Sequence, residues 1–240
     1  MVKAIFFDAA GTLIFLPQPV GEHYAGVARR FGAEVSPEAL QRAFRLAWAA
    51  SPCRTASSGP RPDDDKGWWR ALVGRVLEET LTADQKVSFP ESDYFEAVYA
   101  HFAAPGVWEL FPEVTEILAG LRQRGFRLGV ISNFDRRLDA ILADLGIRHL
   151  FECVILSSQA GADKPDPRIF RCGLEALGIG AQEAIHAGDD RDRDGGAEAV
   201  GMRVFHLDRP GTTLRGLPAW IDALAGTRQE DLPRSGSGAK

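Results

Sequence analysis

Apolar positions along the chain follow two different periods. Residues 3–7 (KAIFF) form a short apolar run that predicts a buried strand, and Gly11 and Thr12 turn the chain into a second extended piece, LIFL. From Val20 to about Phe102 the spacing becomes helical, in the sets Val20/Tyr24/Val27/Phe31, Leu40/Phe44/Ala47/Trp48, Trp69/Leu72/Val73/Val76 and Phe95/Val98/Tyr99/Phe102. Ser36 before Pro37 is a start signal for the second of these helices. The segment SPCRTASSGPRPDDD, with three prolines and three consecutive aspartates, breaks the helical pattern. Four amphipathic helices without strands predict a small bundle.

From Phe111 onward the two periods alternate. Val114/Ile117/Leu118/Leu121 ends at Gly125, FRLGVI follows as a strand, and Leu138/Ile141/Leu142/Leu145 ends at Gly146. CVILS, a helix from about Ile169 to Leu177, AIHA and RVFHL continue the series, and PAWIDAL predicts a short last helix. The fold class this predicts is α/β, a doubly wound, Rossmann-like parallel sheet with helices on both faces and a helical insertion. The expected division is a discontinuous core over 1–16 and 108–226, an inserted helical domain over 17–107, and a polar, mobile tail over 227–240.

Composition narrows the function classes. With 240 residues, 45% of them hydrophobic, the chain can bury a substantial core, and a net charge of −5 argues against general binding to nucleic acid or an anionic membrane. No apolar run approaches the roughly 20 residues needed to span a bilayer and no signal-peptide pattern is present, so a cytoplasmic location is expected. Cys53, Cys153 and Cys172 are widely spaced and form no CxxC pair, which predicts incidental thiols. Histidines 23, 101, 149, 186 and 206 have no metal-binding spacing, and GxSxG, P-loop and GxGxxG motifs are absent.

The chemistry lies at the strand ends. Asp8 follows AIFF, Ser132 follows LGVI, Lys164 lies in the loop after CVILS, and Asp189 follows IHAG. In a parallel sheet all four share the C-terminal rim, where ligands bind. Taken singly, Asp8 could serve a turn, Ser132 could cap a helix and Lys164 could be a solvated loop residue. Together they suit a phosphate site with a metal ion. Asp8, Asp189 and the carbonyl of Ala10 offer hard oxygens to Mg²⁺, Lys164 can hold Asp8 ionised, and Ser132, placed at a helix start, offers its hydroxyl and nearby backbone N–H groups. The cluster GDDRDRDGG also matches the opening of a calcium loop at Asp190, Asp192, Asp194 and Gly195, but Gly201 stands where that loop needs a carboxylate.

These residues resemble the haloacid dehalogenase-like hydrolase superfamily in four ordered motifs: Asp8-Ala9-Ala10-Gly11-Thr12, Ser132 in VISNFD, Lys164 in KPDP, and Asp189 with Asp194 in GDDRDRD. The segments PVGEHYA, ISNFDRRL and KPDPRIF are similar to one subgroup, haloacid dehalogenase-like hydrolase domain-containing protein 3. The resemblance implies a C1-type cap for the helical insertion and a small phosphorylated metabolite as substrate. Asp8 would attack phosphorus and be freed by water. Ser132, Asn133 and Lys164 would hold the phosphoryl group, while Asp8, Ala10 and Asp189 would surround Mg²⁺ and Asp194 would orient the metal's water ligands.

One position departs from the superfamily's phosphatases: Ala10 stands where they carry an aspartate that protonates the leaving group and then activates water. Losing such help forfeits about 10²- to 10⁴-fold in rate, and least for substrates with good leaving groups. The same resemblance leaves other activities open. Phosphonoacetaldehyde hydrolases share the alanine but need a cap lysine, for which Lys66 and Lys86 are the candidates, and haloacid dehalogenases work without a metal. A catalytically weak protein that binds a phosphometabolite or another protein is a further reading. His23, Tyr24, Trp68 and Trp69 are candidate cap residues for substrate choice, although paired tryptophans also serve packing.

Overall fold

The computed structural model describes residues 1–52 and 54–230. The chain runs through β1 (Ala4–Phe7), β2 (Ile14–Phe15), α1 (Val20–Arg30), α2 (Pro37–Ala50), α3 (Lys66–Thr80), α4 (Ala83–Ser88), α5 (Glu91–His101), β3 (Glu109–Leu110), α6 (Val114–Gln123) and β4 (Arg127–Ser132). It continues through α7 (Arg137–Asp144), β5 (Cys153–Leu156), α8 (Ser157–Ala160), α9 (Pro167–Leu177), β6 (Ala184–Gly188), α10 (Arg191–Asp194), β7 (Arg203–His206) and α11 (Leu217–Glu230).

Five strands form one parallel sheet in the order β5-β4-β1-β6-β7, with β1 at its centre. Strand β1 is apolar throughout because both its faces are covered. Ile5 and Phe7 join a cluster with Leu118, Leu138 and Ile221, from α6, α7 and α11. Ala4 and Phe6 face the other way, onto Ile169, Phe170 and Leu174 of α9. This is the doubly wound arrangement that the alternating pattern predicts.

The helical segment has a separate core built from Tyr24, Leu40, Leu72, Val76, Tyr94 and Phe95. Ser36 caps α2, accepting from the Ala39 N–H at 3.2 Å. Strands β2 and β3 pair antiparallel where the chain leaves the sheet region and returns to it. Helix α4 has no counterpart in the sequence reading. Its six residues are too few to show a period, and it is fixed instead by a capping box between Thr82 and Gln85.

Helix α11 runs to Glu230, so residues 227–230, expected in the tail, continue the helix; residues 231–240 and Cys53 lie outside the described residues. Cys153 and Cys172 are free, half-buried thiols, and burial pushes both upward in pKa, Cys153 to about 11. Among the described residues, no helix is long and apolar enough to cross a membrane.

Candidate active site

Asp8 leaves β1 with its N–H bonded to the Ala187 carbonyl at 2.9 Å, which fixes it at the C-terminal edge of the central strand. Immediately afterwards the Ala9 carbonyl accepts from the N–H groups of Thr12, Leu13 and Ile14 at 3.2, 2.8 and 3.0 Å, and the chain turns tightly. Gly11 makes this turn at φ +92°, a left-handed conformation that a side chain resists, and a Cβ there would lie 2.2 Å from an Asp189 oxygen. Thr12 then donates its hydroxyl to Asp189 Oδ1 at 2.9 Å. The first motif thus shapes the space in which Asp189 stands.

Lys164 is 4% exposed, so it is not a solvated loop lysine. Its Nζ lies 2.7 Å from Asp8 Oδ1 and 2.5 Å from Asp194 Oδ1. Burial alone would lower its pKa, but the charges of Asp8 and Asp194 outweigh that and hold it above the ordinary lysine value. Asn133 anchors the same loop, accepting from the Lys164 N–H at 2.6 Å and donating to the Lys164 carbonyl at 3.0 Å. Both ends of its carboxamide are occupied by the Lys164 backbone.

Asp194 is fully buried and gathers several protein donors. Its Oδ1 receives Lys164 and His186 Nε2, the latter at 2.8 Å, and its Oδ2 receives the Asp190 N–H at 3.0 Å. These donors tie Asp194 to Lys164, and Asp194 remains one of the three carboxylates whose oxygens gather within 4.8 Å. Burial would raise its pKa, yet the His186 hydrogen bond and the Lys164 charge carry it far below the carboxylate range. His186, fully buried, is shifted downward by desolvation. Gly188 makes room for this group, since a Cβ there would stand 2.1 Å from Asp194 Oδ2.

Ser132 ends β4 and is buried, but it is not at a helix start: α7 begins at Arg137, after a turn in which Asp135 accepts from the Arg137 N–H at 3.1 Å. In place of a calcium loop, the GDDRDRDGG segment forms α10, and Asp190 spends its carboxylate on the N–H groups of Asp192 and Arg193.

Asp8, Asp189 and Asp194 each offer a carboxylate oxygen within 4.8 Å of the others. Partial desolvation at the cavity and then the charge of Asp8 raise the pKa of Asp189. A cavity of about 270 Å³ stands over this group and is lined by Asp8, Ala10, Ser132, Asn133, Lys164 and Asp189 from the sheet side. Tyr24 and Trp69 line it from the helical side. His23 and Trp68 do not: His23 Nδ1 is 2.9 Å from His101 Nε2, and the Trp68 indole donates to the Pro52 carbonyl at 3.0 Å. Lys66 and Lys86 pair with Glu96 and Glu78, both at 2.7 Å, and neither lines the cavity.

Three supporting residues escaped the sequence reading. Arg209 donates to the carbonyls of Gly11 and Thr12 at 3.2 and 3.0 Å, pairs with buried Glu113 at 2.8 Å and stacks on Phe111 at 3.5 Å. His186 is the third. Arg209 and Glu113 meet across a long sequence separation and His186 meets Asp194 eight residues on, and no motif or period marks such partners.

Fold and site together define a hydrolase of the haloacid dehalogenase type. A family model described as haloacid dehalogenase-like hydrolase matches residues 2–201, and the chain belongs to that family. It is 36% identical over 206 residues to the mouse protein named haloacid dehalogenase-like hydrolase domain-containing protein 3, covering 85% of this chain and 81% of the relative. A phosphoserine phosphatase of Thermus thermophilus is 36% identical over 144 residues, 59% of this chain and 57% of the relative. A defluorinating L-2-haloacid dehalogenase of known structure aligns with a TM-score of 0.70 at 20% identity, covering 87% of this chain and 82% of that one, a likeness of fold alone.

Proposed function

We propose that this chain is a Mg²⁺-dependent phosphoryl hydrolase acting on small phosphorylated metabolites through an Asp8 aspartyl-phosphate, with residues 17–107 as a cap over a core of 1–16 and 108–226. The observation that carries the reading is the placement of Lys164 Nζ 2.7 Å from Asp8 Oδ1, on the floor of a cavity where further carboxylates converge. The donor set suits Mg²⁺: Asp8, Asp189 and the Ala10 carbonyl are hard oxygens, and Thr12 fixes Asp189 through only one of its oxygens. When bound, the ion offsets the repulsion between anionic phosphate and Asp8, about 4 kcal/mol for two unit charges 4 Å apart at an effective dielectric of 20.

The protein's own groups do the rest. Lys164, paired with Asp8, binds the phosphoryl oxygens with the Ser132 hydroxyl and the Asn133 N–H. An Asp8 oxygen attacks phosphorus, the ester oxygen leaves, and water then attacks the aspartyl-phosphate to release inorganic phosphate and Asp8. Asp194, His186 and Asn133 hold Lys164 in place throughout. Ala10 supplies no proton, so turnover is slower than in relatives with an acid at that position.

An Asp8→Asn variant, assayed beside the parent with acetyl phosphate in Mg²⁺ and in EDTA, tests this reading. The parent should release phosphate only with Mg²⁺, and Asp8→Asn should reduce the rate by at least about 10³-fold. Hydrolysis that survives the substitution would remove Asp8 from the mechanism.

A further inference from the structure

The walls of the cavity differ in kind from its floor. Above the carboxylates and Lys164 stand the rings of Tyr24, Phe44, Trp48, Trp69, Phe102 and Trp108. The indole N–H groups of Trp69 and Trp108 are already given to Asp135 Oδ2 and the Phe102 carbonyl, both at 2.9 Å, so these residues offer carbon surface. Trp48 lies 5.9 Å from both Phe44 and Trp69, with interplanar angles of 31° and 38°, which makes one continuous aromatic wall. The two guanidiniums that reach the cavity are engaged as well, Arg137 with Asp135 at 2.6 Å and Arg193 with Asp190 at 3.5 Å. Against the rings of Phe44, Trp48 and Trp69, the hydroxyl or ammonium groups of a sugar or amino-acid phosphate would meet carbon, and Tyr24 and Tyr99 are the lining rings that carry hydroxyls. An aromatic ring would stack there.

Ala10 points to the same class from the chemical side. It is exposed on the cavity surface beside Asp8, so the departing oxygen meets a methyl group where a proton donor could have stood. An alkoxide leaves poorly under those conditions because its conjugate acid is nearly as weak as water. A phenolate is far more stable and needs little or no protonation as it departs.

Resting on the phosphoryl-transfer reading, we propose that this chain hydrolyses aryl phosphate monoesters, with the aromatic leaving group seated against Trp48 and Trp69 and departing as a phenolate. In the first step an Asp8 oxygen bonds to phosphorus while the bond from phosphorus to the aryl oxygen breaks, and the electron pair leaves on that oxygen. Solvent protonates the phenolate. Water then attacks phosphorus, the bond to Asp8 breaks, and the water proton ends on phosphate. The sum is aryl phosphate plus water giving phenol plus inorganic phosphate.

The test compares kcat/KM of the full chain with Mg²⁺ for phenyl phosphate, 2-naphthyl phosphate, glucose 6-phosphate and acetyl phosphate, which has a good leaving group but no ring. The two aryl esters should exceed glucose 6-phosphate by at least about 100-fold. Trp48→Ala should lower the ratio of 2-naphthyl to acetyl phosphate by about tenfold, mainly through KM, and Trp48→Phe should restore it. Phenylphosphonate, which cannot be hydrolysed, should quench tryptophan fluorescence at concentrations where methylphosphonate does not. Asp8-dependent hydrolysis of acetyl phosphate combined with equal rates on aryl and sugar phosphates overturns the proposal and leaves the parent reading standing. An unchanged ratio in both Trp48 variants, or equal quenching by the two phosphonates, also overturns it. No Asp8-dependent hydrolysis of any substrate overturns both.

Discussion

Position 10 concentrates the residue-scale question, because Asp8, Lys164 and Asp189 gather beside it while its own side chain contributes only a methyl. Ala10 is exposed on the cavity wall, so a larger side chain has space there without disturbing the core. Ala10→Asp is therefore expected to raise kcat for an alkyl phosphate by about 10²- to 10⁴-fold, with a smaller gain for phenyl phosphate. A fall in both rates, measured side by side, would show that position 10 is not where the leaving group is protonated. Asp8, Ser132 and Asp189 were legible in the sequence because each stands at the exit of an apolar strand, and Lys164 because its loop follows β5. His186 and Arg209 were not, since a buried histidine inside AIHA reads as one more strand residue and an arginine in a loop reads as solvated. Only a carboxylate that arrives from elsewhere in the chain, Asp194 or Glu113, gives each of them a role.

Among the elements, the segment between α2 and α3 carries an unforeseen task. Its proline- and aspartate-rich composition reads as a surface loop, yet residues 54–65 lie along the sheet region and are tied to it. Arg54 and Arg61, each with a side chain 7% exposed, share Asp65 and Asp163, and Asp64 accepts from the Ser158 hydroxyl at 2.6 Å and the Arg136 N–H at 3.0 Å. These ties fasten the helical insertion beside the cavity. Asp65 sits at φ 64°, a conformation that asparagine also tolerates, so Asp65→Asn removes charge while keeping the backbone. Leaving two buried guanidiniums with Asp163 as their remaining carboxylate should cost about 3 kcal/mol, read from urea unfolding. A change below about 0.5 kcal/mol would mean that the cluster adds nothing to stability. Helix starts such as Ser36-Pro37 could be read directly, whereas the turn through Asn133 to Arg136 looked like the beginning of α7. Its actual shape follows from Asp135 bonding Arg137 locally and from Asn133 bonding Lys164, a contact that needs the folded chain.

Across the whole molecule, the sheet order explains why four distant segments act as one. With β1 central and β4 and β6 on either side, all parallel, Ser132 and Asp189 flank Asp8 at one edge, and the chain beyond β5 brings Lys164 back over it. The alternation of strands and helices predicted this convergence, since a parallel sheet covered on both faces places every strand exit on the same rim. The aromatic lining of the cavity was harder to foresee: Tyr24, Trp48 and Trp69 share helical spacing with the bundle core, and only the assembled fold separates residues that face the core from those that face Asp8. The most direct test of the account is a crystal structure of the protein soaked with beryllium fluoride and Mg²⁺. It should show a trifluoroberyllate adduct on an Asp8 oxygen, with Lys164 and Ser132 against its fluorines and density for a cation between Asp8 and Asp189. An unmodified Asp8 under saturating beryllium fluoride, or an adduct on another side chain, would contradict it.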